Sequence, residues 1–472
     1  MLPNFFTYIS NKAIVVYCIG LLVVTLLFFD RMLPFGLICL SLFFVISFFS
    51  FSDKQIKSWS RISPLSFESK LFSMALILRV IYVIVIYFVN MDLYGVGYEA
   101  EGSTDNGFYH EMAVSMCDLW SNGEFNVFAI WSEWSVDYSD MGYPFYLGFV
   151  YFITGKSILI SHIIKALLDA FSCLLIYRLA KRNFGDQVGR MAGVFYMLNF
   201  LFFWWCGSHM KETEMIFLTI LFIERMDAVL REPKLPTIKI CLYVFIGAAL
   251  YFFRSVLCVV AFLSVITAIV MSSKKIIGMH RKIVLGGLLV VSLFCVFGNR
   301  MSEEVSQLVD RSQNFDQEDN LKWRAERKGG NVLVSKISKS VFAPFLFVIP
   351  FPTMSNTEQL NQEIMNGGYY IKNILGFFCM FGLFCLIRSG DWRKHVLLGS
   401  FLIGYLLVLS MSAFVHSGRF HMPALPFILI FAAYGVLKIT SKQKRYFTYY
   451  LVFELLIIIA WNWFKLAGRG MA

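Results

Sequence analysis

The sequence predicts an all-α integral membrane protein of about thirteen transmembrane helices, with a large outer loop that contains juxtamembrane helices. Three observations predict it. Of the 472 residues 58% are hydrophobic and only 15% charged, at a mean hydropathy of +0.66. Apolar runs of spanning length recur along the chain, and Lys and Arg gather in alternate loops between them. A water-soluble fold with this balance would carry large exposed apolar patches. The 50 Phe, 22 Tyr and 10 Trp suit lipid-facing helices with aromatic belts at the interfaces.

A spanning helix needs about 17–25 mostly apolar residues, because hydrocarbon cannot satisfy free backbone groups. Runs near that length are Ala13–Phe29, Leu33–Ser50, Leu71–Asn90, Ser157–Ala180, Met191–Cys206, Met215–Leu230 and Ile238–Phe253. Val256–Met271, Ile283–Gly298, Tyr370–Ile387, Val396–Val415, Pro423–Leu437 and Tyr446–Trp463 follow. Ile238–Met271 is too long for one crossing at about 1.5 Å per residue, so it reads as a hairpin with Arg254 at its tip. Tyr143–Thr154 and Val341–Pro350 are too short to cross and read as interfacial.

One set of alternate loops holds Lys54, Lys57, Arg61 and Lys70, then Lys181, Arg182 and Arg190, then Arg231 and Lys234. Lys274, Lys275, Arg281 and Lys282, then Arg388, Arg393 and Lys394, then Lys442, Lys444 and Arg445 continue it. That side is expected to be cytoplasmic, with the N-terminus inside and the C-terminus outside. The net charge of +11 is then a topology signal, and nucleic acid is not an expected partner. Met1–Lys12 has one basic residue and no small-residue cleavage site after the first apolar run, so no cleavable signal is expected. The cysteines lie almost wholly in apolar runs and form neither a disulfide framework nor a CxxC pair. Residues 1–70 are expected to hold two helices and a cytoplasmic loop, and residues 438–472 a last helix and tail. Between them, residues 71–437 form the core, with outer regions at 91–156 and 299–366.

The first outer loop carries Asp92, Glu99, Glu101, Asp105, Glu111, Asp118, Glu124, Glu133, Asp137 and Asp140, and no Lys or Arg before Lys156. Retention of basic residues inside explains the missing cations but not the density of acids, which can serve as general bases or metal ligands. In Ser103-Thr-Asp-Asn-Gly-Phe-Tyr109-His-Glu-Met-Ala113, Asp105 and Tyr109 are four apart and share a face if the segment is helical. Asp105 is equally suited to lie near a helix N-terminus as a cap. Candidate cations for a phosphate come from three other outer turns. Gly207-Ser-His-Met-Lys-Glu-Thr213 supplies His209, Lys211 and Glu212; Arg254 tips the hairpin; His416, Arg419 and His421 precede Pro423. Within the spans, Arg79 is placed to snorkel to the cytoplasmic face, and Lys165 and Asp169, four apart, to neutralise each other. Glu454 has no evident partner in the sequence.

The order of these segments carries a resemblance. Asp105 and Tyr109 are followed by Asn122-Gly-Glu-Phe125, then by Gly142-Tyr-Pro-Phe-Tyr146, which opens the interfacial run closing at Gly155. Ile176-Tyr-Arg-Leu-Ala-Lys-Arg-Asn-Phe-Gly185 ends the next span, and Gly418-Arg-Phe-His-Met-Pro-Ala-Leu-Pro426 comes far downstream. Over Leu71–Leu437 this order resembles the polytopic glycosyltransferases of the GT-C fold, in particular the family 39-like branch. Two features depart from it: the two extra spans at the start, and Asn106 where some relatives place a second acid beside the first.

The resemblance implies a transferase that moves a sugar from a polyprenyl-phosphate carrier to a glycan, lipid or protein acceptor, with inversion, on the non-cytoplasmic side of the inner membrane. It implies Asp105 and Tyr109 as the catalytic pair and Arg419 as the cation of the late motif. His209, Lys211, Glu212, Arg254 and His421 complete the expected donor and acceptor contacts. No metal ligand set is assigned, and the cofactor question stays open to a divalent ion. Two other readings stay open: a polymerase or ligase of whole lipid-linked oligosaccharides, and a transporter or flippase of lipid-linked sugars.

Overall fold

The computed structural model describes residues 11–27, 34–99, 104–125, 138–232, 237–272, 284, 286–287, 347–349, 351–352, 354, 365–410, 417–440 and 442–467. All regular structure among them is helical. Helices α1 (Asn11–Leu27) and α2 (Phe35–Ser58) precede α3 (Pro64–Tyr94). Ser63 starts α3 by accepting the Ser66 amide at 3.2 Å, with Pro64 at the position where a missing N–H costs nothing. Gly95, at φ 71°, ends it in the left-handed conformation that glycine tolerates.

The acidic-loop unit follows: α4 (Thr104–Ser121), a 3-10 turn (Tyr138–Asp140) and α5 (Gly142–Thr154), with α4 and α5 packed together. Next come α6 (Ile158–Phe184), capped by the Ser157 hydroxyl, α7 (Asp186–Leu198), α8 (Phe200–Gly207) and α9 (Glu212–Arg231). The hairpin α10 (Thr237–Phe253) and α11 (Ser255–Met271) has the single extended residue Arg254 between its helices. The remaining helices are α12 (Asn366–Ser389), α13 (Val396–Ser410), the one-turn α14 (Gly418–His421), α15 (Leu425–Lys438) and α16 (Lys444–Ala467). Helices α12 and α15 cross so closely that a Cβ at Gly382 or Gly435 would collide with the facing backbone, the close approach that small residues permit between helices in lipid.

The bundle is apolar outside and partly charged inside. Ile77, Ile81, Val85 and Phe88 form an exposed stripe on α3, while Arg79 on the same helix is fully buried. Water would penalise that stripe, and a bilayer accepts it. Among the described residues five helices are long and apolar enough to cross a membrane: Phe35–Ser58, Pro64–Tyr94, Ile158–Phe184, Asn366–Ser389 and Lys444–Phe464. Shorter apolar helices lie at Tyr17–Leu27, Leu242–Phe253, Ser255–Met271, Val396–Ser410 and Leu425–Lys438. Most of the expected span Ile283–Gly298, nearly all of the expected second outer region and most of Val341–Pro350 fall outside the described residues.

Three expectations need correction. Met191–Cys206 is not one straight span, because Asn199 adopts an extended conformation and its side chain caps α8 through the Leu201 amide at 3.0 Å. Lys165 and Asp169 do not pair with each other. Asp169 binds Arg79 and accepts from the Tyr196 hydroxyl at 2.5 Å, whereas Lys165 turns to the chain between α8 and α9. Nor does Arg79 snorkel: it also donates to the carbonyls of Met197 at 3.2 Å and Tyr196 at 3.4 Å. Those carbonyls lie at the broken end of α7, and a buried guanidinium satisfies them.

Candidate active site

The site is assembled from stretches far apart in sequence. Asp105 lies in the first turn of α4, where a carboxylate is favoured by the positive end of the helix. Its Oδ2 accepts from Arg419 Nη1 at 2.5 Å, across 314 residues of chain. The Nε of Arg419 meets Glu212 at the start of α9. One guanidinium thus joins two carboxylates of opposite character: the Asp105 side chain is 46% exposed and that of Glu212 is fully buried. Burial alone would weaken the hold of Arg419 on its proton, but Glu212 leads a group of neighbours that more than reverses this.

Beside this chain, Lys211 binds Asp140 in the 3-10 turn. Burial lowers the Lys211 pKa from its ordinary value, with Asp140 opposing that effect and Arg254 adding to it. Tyr109, one helical turn after Asp105, is buried against Tyr143 with ring centroids 5.2 Å apart. Its phenol is raised above its usual range by burial first and then by Asp140. Arg254 lies 4.0 Å from the Phe420 ring centroid and close to the Tyr405 hydroxyl, which itself donates to the Phe420 carbonyl at 2.9 Å. Nη1 of Arg254 and Oε2 of Glu212 are buried with no hydrogen-bond partner among the described residues.

Asp105, Tyr109, Lys211, Glu212, Arg254 and Arg419 therefore come together, and Asp140, Tyr405 and Phe420 join them. Asp140 was visible as one acid among ten, two residues before the Gly142-Tyr-Pro motif. Tyr405 sits in an apolar run and gives no sequence signal.

His209 and His421 make contacts of their own. His209 is fully buried in a ring cluster, with Nε2 3.2 Å from the Tyr151 hydroxyl and Nδ1 3.1 Å from His162 Nε2. Tyr98 stacks on it at 5.1 Å, and His110 reaches the same Tyr151 hydroxyl at 2.8 Å. Burial, reinforced by His162, lowers the His209 pKa well below its ordinary value. His421 Nδ1 is 3.2 Å from Lys372 Nζ. His209 and Glu212, three residues apart, are drawn to different partners. Among the described residues no group of three or more His, Cys, Asp or Glu is arranged to hold a metal ion. His416 lies outside the described residues.

No family model matches the chain, and no curated protein does. Among solved structures it is similar to ArnT from Cupriavidus metallidurans bound to undecaprenyl phosphate, at 15% identity and a TM-score of 0.43. The similarity covers 77% of this chain and 60% of that one, so the chain spans less than two thirds of that protein's length.

Proposed function

We propose that the chain is a GT-C-type membrane glycosyltransferase. It moves a sugar from a polyprenyl-phosphate carrier to an acceptor hydroxyl at the non-cytoplasmic face of the inner membrane. The observation that carries this reading is the chain Asp105–Arg419–Glu212: an accessible carboxylate held by a cation that a buried carboxylate fixes from behind. Such a group can accept a proton without drifting, and the cations around it suit an anionic leaving group. The acceptor oxygen attacks the anomeric carbon as its proton passes to Asp105. The bond from that carbon to the phosphate oxygen breaks, and its electron pair leaves with the polyprenyl phosphate. Arg419 is already shared by two carboxylates and Lys211 is held by Asp140, so Arg254, whose Nη1 has no hydrogen-bond partner among the described residues, is the better placed to meet the phosphate charge. Tyr109 backs the base and limits water on its buried side. Attack opposite the phosphate inverts the anomeric centre.

The test is incubation of the purified protein with a panel of polyprenyl-phosphate sugars and acceptors, following release of polyprenyl phosphate. Asp105→Asn keeps the size and the helix-end preference of aspartate and removes the base together with its charge toward Arg419. Turnover is expected to fall by about 10²–10⁴-fold with expression and donor binding retained. Turnover near that of the wild type would remove Asp105 from the role.

A further inference from the structure

Lys165 is buried in α6, outside the group just described, and its partners are unusual for a lysine. Its Nζ donates to the Ser208 carbonyl at 2.6 Å and to the Met210 carbonyl. The Tyr143 hydroxyl is 3.5 Å away and a Glu214 carboxylate oxygen 3.7 Å away. An ammonium carries three protons; two of them are committed to carbonyls of one short stretch of backbone. That stretch joins α8 to α9 without helical geometry, so its buried carbonyls have no ladder partner and need another donor. It also delivers Lys211 to Asp140 and Glu212 to Arg419. The residue in its middle, His209, is fixed separately by Tyr151 and His162.

We infer that Lys165 is a positioning residue that holds the 208–212 turn in register, so that Lys211 and Glu212 meet Asp140 and Arg419. It reaches the other wall of the site as well. Its ammonium lies 5.3 Å from the Tyr143 ring, which packs edge-on against Tyr109. Charge neutralisation alone does not explain this placement. The nearest acid on its own helix face, Asp169, is taken by Arg79 and Tyr196, and Glu214 lies farther from Lys165 than either carbonyl. The link to catalysis rests on the glycosyltransferase reading; the local effect does not.

Hydrogen–deuterium exchange of the full chain in lipid nanodiscs, without substrate, tests the inference. The variants are Lys165→Met, Lys165→Arg, and Lys165→Met with Glu214→Gln. The double variant avoids leaving a buried carboxylate alone, in case the single change prevents folding. Exchange at residues 208–212 is expected to rise about tenfold or more in both methionine variants while α12 and α15 keep their protection. Lys165→Arg should restore part of the protection, because it keeps a charged donor. In the donor panel, kcat is expected to fall about tenfold or more with KM within about twofold, since misplaced groups act in the transition state. Unchanged exchange at 208–212 in the double variant, or an equal rise throughout the bundle, would overturn the inference. A wild-type protein that transfers no sugar while the exchange pattern holds would overturn the glycosyltransferase reading and leave the positioning role standing.

Discussion

Arg419→Met separates the two halves of the ion-pair chain. The half toward Glu212 is buried, its carboxylate fully shielded, whereas the half toward Asp105 is 46% exposed on the carboxylate side. Removing one partner of a buried pair strands the other charge and typically costs about 3–5 kcal/mol. An exposed pair contributes about 0.2–1 kcal/mol, because water and salt screen it. Arg419→Met, which strands the buried Glu212, should therefore destabilise the protein most, Glu212→Gln less because Arg419 keeps Asp105, and Asp105→Asn by about 1 kcal/mol or less. Replacing both buried partners, Arg419→Met with Glu212→Met, should recover most of the stability, since an apolar pair of similar volume is often neutral. Activity follows a different order: the most stable of the single variants, Asp105→Asn, should be among the least active. Unfolding followed by helical circular dichroism in mixed micelles, alongside the donor assay, reads both quantities. The reasoning fails if Asp105→Asn loses as much stability as Glu212→Gln, or if the double variant is no more stable than Arg419→Met.

Two further outcomes concern the alkaline limb of activity and the sidedness of the chain. Burial places the Lys211 pKa below its ordinary 10.5, so the ion pair with Asp140 should be lost, and turnover should fall, before that pH. Between the lowered folded value and 10.5 the unfolded chain binds more protons than the folded one, so the contribution of Lys211 to stability rises with pH while activity falls. Lys211→Arg, which keeps its charge, should move the limb upward, and a wild-type rate flat to pH 10.5 would refute the assignment. For sidedness, single cysteines at Asn122 and at Lys394 in a cysteine-free background should react with an impermeant maleimide from opposite faces. Labelling of both in intact cells would contradict the orientation derived from the basic loops.

Periodicity and charge made much of the frame legible. The short helix after Gly142 is present as α5, and the long run from Ile238 does split at Arg254, because one charged residue cannot sit mid-span without a partner. Asp105 and Arg419 stood out on different grounds, one for its acidic loop and the other for its place before Pro423. Their direct contact could not be read, since spacing reports only neighbours three or four residues apart. The same limit misled the pairing of Lys165 with Asp169: the spacing brings them to one face, but each turns toward backbone or charge on another helix.

Those two misplaced partners and the unforeseen break at Asn199 have one physical origin. Between α7 and α9 the chain leaves helical geometry twice inside the bundle, at Asn199 and again over 208–211. A buried break in a helix leaves carbonyls without their ladder donors, so each break needs a buried cation or a side-chain cap. Arg79 serves the first through the carbonyls of Tyr196 and Met197, and Lys165 the second through those of Ser208 and Met210. A hydropathy reading sees the run to Cys206, the turn at 207–213 and stray charges nearby, because it weighs side chains and not carbonyls. Once the carbonyls are counted, both cations have a reason to be there, and the second break is the one that carries Lys211 and Glu212 to the candidate site. An unbroken helix through Asn199 and Ser208 would point successive side chains around its axis and could not offer Lys211 to Asp140 and the adjacent Glu212 to Arg419 from a single turn.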